Sequence, residues 1–198
     1  VRFLPFIGLP LSVLLYFTAG EVTLILFGDQ WMPSIPIFRI LTLSVGIQIV
    51  LSSSGSIFQA AGDTKSLFVC GLFSSVLNVA GILLGIFRIG TLQAVATCIT
   101  LTFTVNFVQC YWMMYRVTLH RSLRHFAVQL VSPLAVSVLL IAVLYPLSLL
   151  TEGGNIFLTL IVKSIIFFCI FGCYIQLTGE YDIIGKAKGI LNKRKSRG

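Results

Sequence analysis

The chain has 198 residues, 57% of them hydrophobic and 10% charged, with a formal net charge of +8 and a mean hydropathy of +1.01. Soluble domains carry about 25% charged residues, so one water-soluble core built from this composition would leave large apolar surface in water. The apolar runs are long and lack the alternation of barrel strands, which points to an all-α, polytopic helical membrane protein with about six transmembrane helices.

A bilayer core about 30 Å thick needs about 20 helical residues to cross. In chain order the expected spans are about 3–19, 35–61, 66–87, 91–115, 126–150 and 156–177, forming a bundle over 1–178. Residues 179–198 form a basic cytoplasmic tail. Pro10 is expected to kink the first span. Glu21 to Phe27 then reads as a short apolar piece before the turn-rich loop Gly28-Asp29-Gln30-Trp31-Met32-Pro33. The second and third spans form a hairpin around Gly62-Asp63-Thr64-Lys65, flanked by 23 uncharged residues after Arg39 and 22 after Lys65. A short interfacial helix over 181–192 is a further expectation, weakened by Gly185 and Gly189. Val1 already lies inside an apolar run, so the chain reads as the C-terminal portion of something longer, without a signal peptide.

Lys and Arg set the expected orientation. Arg2, Lys65, Arg116, Arg121, Arg124 and six tail residues between Lys186 and Arg197 fall on one side. Arg88 alone falls on the other, and Arg39 and Lys163 lie within spans. Both ends are therefore expected in the cytoplasm, and anionic membrane lipids account for the positive charge without nucleic acid.

The second span is unusually polar. Gln48, Ser52, Gly55 and Gln59 recur on one helical stripe, with Arg39, Thr42, Gly46 and Ser53 roughly opposite. Polar groups around a spanning helix argue for a bundle interior or a water-filled cavity. Helix–helix packing through small and hydroxyl residues is the simpler explanation for the serines. Gly71, Ser74, Asn78, Gly81 and Gly85 in the third span suggest a close-packing seam, where Asn78 needs partners for its amide. Asn106 and Gln109 are the corresponding amides of the fourth span.

Arg39 and Lys163 either snorkel to the outer interface or face a cavity that accepts an anion. No carboxylate is expected deep in a span, Glu21 being the nearest, which argues against a proton or sodium relay. The five cysteines read as small buried hydrophobes. No phosphate-binding glycine loop, nucleophilic triad or metal-ligand set is present, so neither an enzyme nor a cofactor or metal is expected. His120 and His125 read as part of a basic membrane-surface stretch.

Ala60-Ala61-Gly62-Asp63-Thr64-Lys65, then Asn78, then Gly90-Thr91-Leu92-Gln93-Ala94-Val95-Ala96-Thr97 resembles the C-terminal half of Wzx-type polysaccharide flippases. These belong to the multidrug/oligosaccharidyl-lipid/polysaccharide exporter superfamily. The loop Leu26-Phe27-Gly28-Asp29-Gln30-Trp31, followed by Phe38-Arg39-Ile40-Leu41, is similar too. Leu92-Gln93 departs from the small residues usual there. The resemblance implies a multi-pass protein of the bacterial inner membrane, in which two helical lobes rock around a cationic cavity. The cavity would carry undecaprenyl-pyrophosphate-linked oligosaccharide for exopolysaccharide, O-antigen or teichuronic-type polymer synthesis. It also implies partners: an N-terminal lobe of the same protein, and polysaccharide polymerase machinery. Arg39 and Lys163 are then the candidates for the anion, and Gln48, Gln59, Asn78 and Asn106 for the polar lining. Two other functions fit the same residues: a cation-coupled multidrug exporter of the superfamily, or a non-transporting membrane subunit whose polar stripes only join helices.

Overall fold

The computed structural model of the protein describes residues 3–118, 123–151 and 154–178. The basic tail, the expected interfacial helix, Arg2, His120 and Arg121 lie outside the described residues. The protein is an all-α polytopic membrane protein, with six helical stretches among the described residues long and apolar enough to cross a membrane.

The first helix, α1 (Phe3–Phe27), is longer than its sequence suggested. It continues through Pro10 and past Ala19, because Val22 to Phe27 is itself apolar and Gly20 lies in a helix long enough to absorb its cost. A short 3-10 turn, Asp29–Ser34, leads into α2 (Ile35–Ser52), whose second residue is Pro36. The second span is interrupted rather than continuous: α2 ends at Ser52 and α3 covers Ser54–Ala60. The serines explain the break. Ser52, Ser53 and Ser54 each donate to the carbonyl three residues back (2.7, 2.8 and 2.7 Å), competing locally with the helical ladder.

Gly62 closes the following turn with φ +73°, a conformation open to glycine at little cost. The Asp63 carboxylate caps α4 (Thr64–Leu84) by accepting from the Ser66 amide at 3.0 Å. A π-helical turn, Gly85–Ile89, then ends at Gly90 with φ +72°. Thr91 caps α5 (Leu92–Met113) through the Ala94 amide at 3.2 Å, and a second π turn, Met114–Thr118, follows. The last two helices are α6 (Leu123–Leu150) and α7 (Ile156–Thr178).

The helices are arranged as a row. α4 packs on α5, α5 on α2, α2 on α1, and α1 on both α6 and α7. At the centre of the row α1 and α2 cross backbone to backbone. A Cβ on Gly46 would sit 2.8 Å from the Gly8 carbonyl oxygen, and the Gly46 amide donates to Ser12 Oγ at 2.6 Å. Gly81 and Gly85 bring α4 onto α5 in the same way, against Thr102 and Val95. Gly71, expected in that seam, has open space where a Cβ would stand.

Two apolar clusters fill the interior. One joins Val50, Phe58, Cys70, Cys110, Tyr111 and Met114. The other joins Phe6, Val136, Leu140 and Phe167. All five cysteines are free. Cys70 and Cys110 are buried as expected, whereas Cys169 and Cys173 are exposed on α7.

Candidate functional site

The six polar residues singled out from the sequence do not converge on one cavity. They fall into three groups, and the first is the most developed.

Lys163 is seven residues into α7, about 10 Å along its axis at 1.5 Å per residue. Glu21 is six residues from the end of α1, about 9 Å deep by the same measure. α1 ends at the face where α7 begins, so the two side chains meet at matching depth. Lys163 is 3% exposed and Glu21 13%, and they form an ion pair. The ammonium also donates to the Phe17 carbonyl at 2.9 Å and lies 3.4 Å from the Ser148 hydroxyl. Lys163 thus turns inward instead of snorkelling. Glu21, expected outside the first span, is a carboxylate within it. Its signal was the apolar run after it, which lets the helix continue.

Arg39 lines the same pocket, a cavity of about 200 Å³ between the ends of α1, α2, α6 and α7. The Arg39 guanidinium lies over Gly20, with Nη2 3.9 Å from where a Cβ would be. Arg39 is exposed and has no ion pair among the described residues. The hydroxyls of Ser148, Thr151 and Thr159 complete the polar lining. Because Glu21 balances Lys163, these described residues leave the pocket with a single unbalanced positive charge, that of Arg39. Such an arrangement attracts an anion but holds no nucleophile set up for chemistry.

Gln48 and Gln59 form the second group. Nine residues separate Arg39 from Gln48, about two and a half turns, so they lie on opposite faces of α2. Gln48 is exposed and, among the described residues, donates to Ser44 Oγ at 2.8 Å. Ser52, Ser56 and Gln59 are exposed as well.

The third group lies between α4 and α5. The Thr102 hydroxyl is 2.7 Å from Asn78 Oδ1, and Asn78 Nδ2 is 3.5 Å from Ser74 Oγ. Asn106 is buried and lines a separate cavity of about 180 Å³ with Ser54, Ser74 and Cys70. One turn further on, Gln109 keeps Oε1 buried with no hydrogen-bond partner among the described residues, while its amide nitrogen is 3.8 Å from Cys70 Sγ.

Outside the spans, the Asp63 turn is tied to the far end of α5. Thr118 donates to Asp63 Oδ2 at 2.6 Å. This bond, with those from Ser66, holds the Asp63 carboxyl below its ordinary value of 3.8. Compared with models of known protein families, with curated proteins and with solved structures, the chain matches none of them.

Proposed function

We propose that the chain is the C-terminal part of a flippase. It carries undecaprenyl-pyrophosphate-linked oligosaccharide across the bacterial inner membrane for exopolysaccharide, O-antigen or related polymer synthesis. An N-terminal lobe supplies the facing half of the path, and both ends of this chain are cytoplasmic. The observation that carries the reading is the exposure of Gln48, Ser52, Ser56 and Gln59 along α2 and α3. If these residues only joined helices of this bundle, they would be covered by it. Facing hydrocarbon they would leave amide groups unsatisfied, whereas a hydrated sugar path gives them partners.

The test is Gln48→Leu with Gln59→Leu in the native bacterium, reading surface polysaccharide against membrane levels of the protein. Lost polymer at normal protein level supports translocation; unchanged polymer refutes it. A second reading, the cation-coupled multidrug exporter, draws support from Glu21, an acidic group inside a span. It predicts that Glu21→Gln raises drug susceptibility and leaves surface polymer unaltered.

A further inference from the structure

On the face of α2 opposite Gln48, the Arg39 pocket has an apolar neighbour. A second cavity, of about 240 Å³, is lined by Val13, Tyr16, Phe17, Leu43 and Ile141. The chain relates the two cavities directly. Leu43 is one turn from Arg39 on α2, Phe17 one turn from Glu21 on α1, and Ile141 two turns from Ser148 on α6. Each step leads away from the helix end, so the apolar cavity lies about 6 to 10 Å deeper than the polar one. Phe17 joins them physically, since it lines the deeper cavity while its carbonyl accepts from Lys163 in the upper one.

We infer that these two cavities form one site for an anionic phospholipid of the bilayer, with its phosphate on Arg39 and an acyl chain in the Phe17–Leu43–Ile141 pocket. The charge selects the ligand. The neutral Glu21–Lys163 pair forms one wall, and Arg39 supplies one cation for one phosphodiester anion. Hydroxyls of Ser148 and Thr159 line the headgroup position, whereas that of Thr151 donates to the Leu147 carbonyl at 2.9 Å. Leu43 and Ile141 are exposed, so a chain enters from the surrounding lipid without crossing the bundle. Gly20 leaves room for the guanidinium beside α1. This site does not depend on the translocation reading.

The experiment uses the intact protein purified in a nonionic detergent, with native mass spectrometry of bound lipid. Phosphatidylglycerol and phosphatidylcholine with identical acyl chains are compared, and inorganic phosphate is the competitor. Both lipids bring a phosphodiester anion to Arg39, and phosphatidylglycerol is expected to bind about tenfold tighter because phosphatidylcholine also brings a choline cation that Arg39 repels. Arg39→Ala abolishes that preference, and Arg39→Lys keeps part of it, a cation without the planar fork. Leu43→Trp, which fills the deeper cavity, weakens both lipids. Both positions are exposed, and far-UV circular dichroism verifies that each variant is folded. Equal binding of the two lipids, or a preference untouched by Arg39→Ala, overturns the site. Displacement of phosphatidylglycerol by an equal concentration of inorganic phosphate also overturns the lipid, because the upper pocket alone then suffices.

Discussion

Replacing Glu21 by Gln is expected to destabilise the bundle more than any other single change to a polar side chain described here. The substitution conserves shape and removes one charge. Lys163, 3% exposed, then faces neutral acceptors alone: the glutamine amide oxygen, the Phe17 carbonyl at 2.9 Å and the Ser148 hydroxyl at 3.4 Å. An uncompensated buried charge costs about 3–5 kcal/mol; the surviving carbonyl bond places this case near 3 kcal/mol. Lys163→Met removes the other partner. Glu21 is then 13% exposed to a pocket that also holds Arg39, so the expected loss is smaller, about 2 kcal/mol. Because both charges vanish together, Glu21→Gln/Lys163→Met should cost about 2 kcal/mol, leaving a coupling of about 3 kcal/mol. Reversible unfolding of the chain in mixed micelles, followed by far-UV circular dichroism, measures all four corners of the cycle. A coupling under about 1 kcal/mol would refute the reasoning, since an ordinary polar contact between spans is worth that much.

Gly46→Ala is expected to cost about 2 kcal/mol in the same assay, because the new methyl must force α1 from α2 against the Gly8 backbone. Gly71→Ala, with open space around it, should instead be neutral or stabilising by up to about 1 kcal/mol. Asp63 has a folded-state value below its ordinary 3.8, so its contribution is fully present above pH 3.8 and is lost as pH falls through the depressed value. Thr118→Val removes the largest cause of that depression, and an NMR titration of the Asp63 carboxyl should move up toward 3.8. If it does not move, the bond from Thr118 is not what stabilises the carboxylate. For orientation, Ala61→Cys should react with an impermeant maleimide only from the cytoplasmic side, and Gln30→Cys only from the other. Labelling of both from one side would reverse or break the expected threading.

The number of spans was legible because uncharged runs such as the 22 residues between Lys65 and Arg88 admit few alternatives. The α3–α4 turn was legible for the same reason, with Gly62 and Asp63 marking its positive φ and its cap. The end of the first helix was not. Gly20-Glu21 looks like a boundary locally, and only the distant Lys163 makes a carboxylate tolerable there. The serine run at 52–54 suggested packing against neighbouring helices. Its hydroxyls bond to their own backbone while Ser54 is also buried beside α4 and α5, a combination that composition alone does not reveal. Arg39 and Lys163 were legible as a pair near one membrane face, but periodicity within single helices says nothing about how α2 is turned relative to α1. That rotation comes from the glycine crossing at Gly8 and Gly46, and it turns Arg39 toward the ends of α1, α6 and α7; its separation from Gln48, nine positions on along the same helix, was already legible.

The ion pair between α1 and α7 also has a history during synthesis. The two residues are 142 positions apart, so at about 5–20 residues per second Glu21 waits roughly 7 to 30 s for its lysine. During that interval a newly inserted helix carries an acid that the later helix will neutralise. Arg39 emerges only 18 residues after Glu21 and ends beside the same pocket, where it is positioned to act as an interim counter-ion. Nascent chains halted before Lys163 would depend on that arginine alone, and Arg39→Ala should make them prey to membrane quality-control proteases sooner than the finished protein.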